Sequence, residues 1–244
     1  MSRIASVSEF RMTLPPIAVF DLDGTLAETA PDLIATLNVI MRQEGLPEVP
    51  LAKARDMIGA GSRAMIERGF ELAHKDLTPQ KSDELFQRFL VIYADNLCVG
   101  SHLFDGVEDT LGRLSQAGYR LAVCTNKVEL HSRRLLEQLG VADRFAAICG
   151  RDSFPWYKPD PRHLTMTIEA AGGDPARAVM VGDSRTDIDT AKAAGIPVVA
   201  VPFGYTDVPV TELGPNVVVQ SYAELIGAIG TLPGHSGLGG RDRD

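Results

Sequence analysis

Cysteine is scarce in this sequence and never closely paired. Cys98, Cys124 and Cys149 stand far apart with no CxxC spacing. That excludes a disulfide framework and a cysteine-rich zinc site, and fits small buried thiols in a reducing compartment. Long apolar runs are missing too; nothing approaches the roughly 18 residues that a membrane helix needs. The first sixteen residues carry Arg3, Glu9 and Arg11 and no continuous apolar core, so no secretory signal is expected there. No basic block is longer than a pair, and the net charge is −8, from 24 basic and 32 acidic residues. A nucleic-acid face is therefore not expected. An acidic chain that handles an anion must build its positive field locally, from a metal, a lysine or helix N-termini. The expectation is a cytoplasmic protein, monomer or small homo-oligomer, with neither nucleic acid nor membrane as partner.

What is present is ordinary globular material: 244 residues, 45% hydrophobic and 23% charged, enough for one large domain or a domain with an insertion. Residues 1–15 read as a loose extension ending at Pro15-Pro16. A first strand covers Ile17 to Asp21. Between residues 31 and 99 the pattern is helical throughout. Leu33, Ile34, Leu37 and Ile40 recur at three- and four-residue spacing, as do Leu85, Phe86, Phe89, Leu90 and Tyr93. Thr78, before Pro79, is the expected N-cap of the last of these helices.

After His102, helix and strand alternate. Helices are expected near 107–116, 130–139, 161–171, 184–194 and 222–229. Strands are expected at 119–125, 145–149, 178–181, 197–201 and 216–219. Strict alternation means crossover connections and a parallel sheet covered on both faces. The fold class is α/β, a doubly wound parallel sheet with an all-helical insertion. The expected division is a core of 16–30 and 100–230, an insertion of 31–99, and flexible termini at 1–15 and 231–244. No internal repeat is visible.

The chemistry begins at Ala18-Val19-Phe20-Asp21-Leu22-Asp23-Gly24-Thr25-Leu26, an apolar strand that runs into two acids, a glycine and a threonine. Two acids two residues apart point to the same side of extended chain, which is costly unless something positive stands beside them. A divalent cation answers that need. An EF-hand loop is rejected, because the third acid before the glycine and the later glutamate are missing. Three more stretches end strands on the same rim, where open parallel sheets bind ligands. Thr125-Asn126 follows one strand and Gly182-Asp183 another, while Lys158 precedes Pro159-Asp160-Pro161. Each is weak alone. Asp-Gly makes turns, Thr-Asn begins helices, a lysine is commonly solvated, and Asp183 and Asp187 suit a helix N-terminus. Together they bring a hydroxyl, an ammonium and several carboxylates to one place. His74, His102, His131 and His163 share no metal spacing.

These four motifs resemble those of the haloacid dehalogenase superfamily, most of whose members are Mg²⁺-dependent phosphatases. The resemblance spans residues 17 to 222 and implies a Rossmann-like core carrying a helical cap at 31–99. It implies that Asp21 is the nucleophile forming an aspartyl-phosphate, and that Asp23 is the acid and base. Thr125 and Lys158 would hold the phosphoryl group. Asp21, the Asp23 carbonyl and Asp183 would hold Mg²⁺, and Asp187 would fix Lys158 or the metal site. Thr25 and Asn126 would meet substrate. Ile58-Gly59-Ala60-Gly61-Ser62-Arg63 is similar to the Gly-x-Gly loop of phosphoglycolate phosphatases, which implies Gly59, Gly61 and Arg63 as substrate contacts and 2-phosphoglycolate as substrate. A two-glycine helix break and an exposed arginine explain that stretch equally well. Asp23 argues against dehalogenase and phosphonatase chemistry, and with it against a Schiff base on Lys53. A sugar- or amino-sugar-phosphate phosphatase, a hexose-phosphate mutase and a phospho-aspartate switch remain alternatives.

Overall fold

The computed structural model describes residues 14–59, 61–236 and 238. Six parallel strands form one sheet in the order β5-β4-β1-β6-β7-β8. They are β1 (Ile17–Phe20), β4 (Arg120–Cys124), β5 (Ala147–Cys149), β6 (Ala178–Gly182), β7 (Val198–Ala200) and β8 (Val217–Val218). The central strands are apolar on both sides because both sides are covered. Ala18 and Phe20 of β1 join one core with Val179 and Val181 of β6, beneath α5 (Val107–Gln116), α6 (Glu129–Gln138) and α9 (Tyr222–Gly230). Ile17 and Val19 join the opposite core with Ala178 and Met180, beneath α7 (Pro161–Ala171) and α8 (Arg185–Ala194). Successive strand residues alternate between the two layers, as the two-residue period requires.

Among the described residues of 30–94 the regular elements are all helices: α1 (Ala30–Gln43), α2 (Leu51–Ile58), α3 (Ser62–Leu72) and α4 (Pro79–Ala94). Their apolar stripes close on one another in a separate core that includes Leu37, Ile40, Met65 and Phe89. Thr78 caps α4, its Oγ1 accepting from the Lys81 N–H at 3.3 Å. Sequence reading missed a two-stranded antiparallel ribbon, β2 (Ala27–Glu28) with β3 (His102–Leu103). Two residues are too few to show a period. The ribbon sets the two crossings into the helical segment side by side. Asp32 ties them, its carboxylate accepting from the N–H groups of Val99, Gly100 and Ser101 at 2.9–3.1 Å.

The flexible segment expected at 231–244 needs correction over its described part. Leu232 packs into the core, and His235 is buried with Nδ1 2.7 Å from the Tyr119 hydroxyl. A ring stack and a buried hydrogen bond hold a stretch whose composition reads as loose. Residues 237 and 239–244, and residues 1–13 of the expected N-terminal extension, lie outside the described residues. Among the described residues no helix is long and apolar enough to cross a membrane.

Candidate active site

Strands β4, β1 and β6 are neighbours, so the residues just beyond them stand side by side at one rim of the sheet. Asp21 succeeds β1 and donates its N–H to Val181 at 3.0 Å; Thr125 succeeds β4 and donates to Cys149 at 3.0 Å. Asp183 succeeds β6. Parallel strands thus align three loops that lie more than fifty residues apart in sequence. The loop after β5 supplies Lys158.

Lys158 is the hub. The residue is 2% exposed, and its ammonium lies 2.6 Å from Asp187 Oδ1 and 2.9 Å from Asp21 Oδ1. Burial pulls its pKa down, but the charges of Asp187 and Asp21 outweigh that and leave it raised. Asp187 is fully engaged, since its Oδ2 accepts from the N–H groups of Asp183 and Ser184 and from the Ser184 hydroxyl. Asp21 differs. Its Oδ1 is buried without a hydrogen-bond partner, the Lys158 ammonium being close but off-line. Burial first, then the Asp187 charge, push the Asp21 carboxyl up to about 6, against the pull of Lys158. Asp183 is likewise raised well above the usual carboxylate range, by burial and then by Asp187 and Asp21.

Asp21, Asp183 and Asp187 bring carboxylate oxygens within 4.8 Å of one another. With Asp187 occupied by Lys158 and by three donors, Asp21 and Asp183 are the two acids with capacity for a cation. Three buried carboxylates against one ammonium leave negative charge unbalanced, and oxygen donors of this kind suit a hard divalent ion. The fit is good.

Asp183 is gripped from both sides. Thr25 Oγ1 donates to its Oδ1 at 2.7 Å, and Tyr205 N–H donates to its Oδ2 at 2.5 Å. Gly204 makes this possible: a Cβ there would stand 2.2 Å from Oδ2. The Tyr205 hydroxyl accepts from the N–H groups of Thr29 and Ala30, and so ties this loop to the start of α1.

A small cavity of about 40 Å³ opens above Asp21. Asp23, Thr125, Asn126 and Lys127 line it from the core, and Leu33, Ile58, Gly59, Gly61, Ser62 and Met65 from the helical segment. Gly59 is pressed against the core, where a Cβ would lie 2.3 Å from the Tyr205 carbonyl oxygen. Asn126 Nδ2 donates to the Lys158 carbonyl at 2.9 Å, leaving its buried Oδ1 without a partner.

Two sequence expectations fail here. Thr25 does not face the cavity; it is wholly buried and spends its hydroxyl on Asp183. Arg63 also points elsewhere. Its guanidinium pairs with Asp83 at 2.6 Å and covers the Phe86 ring at 4.7 Å. On α3, Ser62 and Met65 share the cavity face, and Arg63, next to Ser62, is turned about 100° from it.

Two residues were missed. Lys127 Nζ donates to both oxygens of Asp23, at 2.9 and 3.2 Å, and to the Tyr93 hydroxyl at 2.7 Å. Lys127 directly succeeds Thr125-Asn126, so its place was a readable signal. Tyr93 sat inside an apolar helical stripe and gave none.

The sequence model for the haloacid dehalogenase-like hydrolases matches residues 18–201. The chain is 52% identical over 210 residues to a phosphoglycolate phosphatase of Mesorhizobium japonicum, covering 86% of this chain and 92% of that one. It is 46% identical to the phosphoglycolate phosphatase of Agrobacterium fabrum, covering 88% and 93%. The crystal structure of a predicted phosphoglycolate phosphatase from Haemophilus somnus superposes with a TM-score of 0.81 at 32% identity, over 88% of this chain and 98% of that one.

Proposed function

The chain belongs to the haloacid dehalogenase-like hydrolases, and from that membership we propose that it hydrolyses 2-phosphoglycolate to glycolate and phosphate. The observation that carries the reading is the buried Asp21 Oδ1 lining the cavity, ion-paired with Lys158 at 2.9 Å but outside hydrogen-bond geometry. A buried carboxylate oxygen that is charge-paired but keeps a lone pair facing a cavity is a poor structural element and a good nucleophile. The names of the relatives support the ester.

In this reading Asp21 attacks phosphorus, and the bond to the ester oxygen breaks as Asp23 gives that oxygen its proton. Asp23 then takes a proton from water, the water oxygen attacks phosphorus, and the bond to Asp21 breaks to release phosphate. Thr125 and Lys158 hold the phosphoryl oxygens, and Asp187 keeps Lys158 in place. Asp21 and Asp183, with the Asp23 carbonyl, are the residues that would hold Mg²⁺. The ion, when bound, supplies positive charge against which one anion approaches another. Residues 31–99 act as a cap that excludes bulk water. Leu33, Ile58 and Met65 line the cavity from the helical segment. The unpaired thiols suit a cytoplasmic setting.

The test is phosphate release from a panel of monoesters, with Mg²⁺, with EDTA and with Asp21→Asn. Preference for 2-phosphoglycolate that both controls abolish is the expected result. Preference for a sugar phosphate overturns the substrate. A stable phospho-Asp21 with no turnover overturns the hydrolase.

A further inference from the structure

We propose that Lys127 selects the substrate by exchanging Asp23 for a second anionic group on the phosphate ester, an inference that rests on the phosphatase reading above. Among the described residues Lys127 is the one basic side chain lining the cavity. Lys158 is committed to Asp21 and Asp187, and Arg63 faces away. Among the described side chains, Lys127 is therefore the one placed to meet negative charge that a substrate carries beyond its phosphate.

What Lys127 now holds gives the exchange its consequence. Its side chain is 5% exposed, and the ammonium spends its donors on the two Asp23 oxygens and on the Tyr93 hydroxyl, 4.4 Å from the centre of the Tyr93 ring. With both oxygens bridged by the ammonium, Asp23 is held toward Lys127. A carboxylate two bonds from that ester oxygen competes for the same ammonium. Lysine suits such a trade, being a compact charge with rotatable donors on a flexible stem. When the substrate anion takes the ammonium, Asp23 is free to turn to the ester oxygen. An ester with a neutral tail leaves the Lys127–Asp23 pair closed. Selection should therefore appear in kcat as well as KM, because the second anion does more than add binding. Tyr93 belongs to α4, so the pair also reports the position of the helical segment.

The experiment compares 2-phosphoglycolate with ethyl phosphate, which has a methyl where the first has a carboxylate. Both are given to the Mg²⁺-loaded wild type, Lys127→Met and Lys127→Arg, each checked for folding by circular dichroism and thermal melting. The wild type should favour 2-phosphoglycolate by about 100-fold in kcat/KM, the scale of one charge-assisted pairing, with part of it in kcat. Lys127→Met should lose that preference, falling at least tenfold further on 2-phosphoglycolate than on ethyl phosphate. Lys127→Arg should recover part of it. An equal fall on both esters overturns the proposal and leaves the phosphatase reading standing. A wild type that hydrolyses ethyl phosphate and not 2-phosphoglycolate overturns the substrate reading, and the proposal falls with it. Should Lys127→Met fail to fold, Lys127→Gln takes its place, and a wild-type preference confined to KM also overturns the exchange.

Discussion

Lys158 and Asp187 form an ion pair of 2.6 Å between side chains that are 1% and 0% exposed. The pair joins the loop after β5 to the start of α8, and Asp21 completes it at 2.9 Å. Its value lies in position. A buried pair of this kind repays its desolvation only while both members are present.

Removing Lys158 alone should therefore be severe. Lys158→Met leaves Asp21 and Asp187 buried without their cation, and a loss of about 3–5 kcal/mol is expected in urea denaturation. Adding Asp187→Asn should return about 2 kcal/mol, because the second buried charge goes with the first. Neither protein should turn over substrate, which separates the structural cost from the functional one.

Metal should stabilise the fold through the raised carboxyls. Asp21, held up at about 6, binds its proton more tightly folded than unfolded. In metal-free protein it therefore adds stability that is full below about pH 4 and is lost as pH rises through about 6. At neutral pH, Mg²⁺ at a hundred times its Kd should add about 2.7 kcal/mol. For a chain of this size that is a melting shift of about 5–10 °C. Asp21→Asn should melt higher than wild type without metal and gain much less from it. An equal metal shift in both proteins would place the ion elsewhere.

Gly204 and Gly227 should respond in opposite senses. Gly204→Ala drives a methyl into Asp183 Oδ2, which Thr25 and Tyr205 hold in place. Activity should fall at least tenfold, with about 1–3 kcal/mol of stability lost to overpacking. Gly227 lies inside α9 with no atom near its added Cβ. Gly227→Ala should stabilise by about 0.5–1 kcal/mol and leave turnover unchanged.

His163 should make the protein acid-sensitive. It is wholly buried, with Nε2 3.1 Å from the Gly150 carbonyl oxygen. Burial, then the nearby Lys158 charge, push its pKa down to about 4, and the Gly150 contact opposes them. The unfolded chain takes up that proton first. The stability it contributes is thus full above about pH 6.5 and lost as pH falls toward 4, up to about 3 kcal/mol. Denaturation at pH 7.5 and pH 5 should show wild type losing more than His163→Gln. Equal losses would remove His163 as the cause.

Sequence by itself determined the strands and helices of the main sheet, and the rim, but not the short β2–β3 ribbon. β1 is four apolar residues and then Asp21, α7 begins at Pro161 after its Asp160 cap, and α7 and α8 end at glycines. Such signals are local: a period, a cap or a breaker acts within one turn or one strand. Because parallel strands present their carboxyl ends together, the residues at those ends were enough to gather Asp21, Thr125 and Asp183.

Tertiary structure alone decided what each side chain does there. Thr25 belongs to Asp183, 158 residues away, and Lys127 belongs to Asp23, 104 residues away. Tyr205 reaches across 176 residues to the start of α1. Arg63 could be placed on a helix by its neighbours, but which face that helix turns to the cavity depends on packing against three others. Partners of this kind leave no periodic trace. A hydrogen bond is set by distance and direction in space, and only the folded chain supplies them.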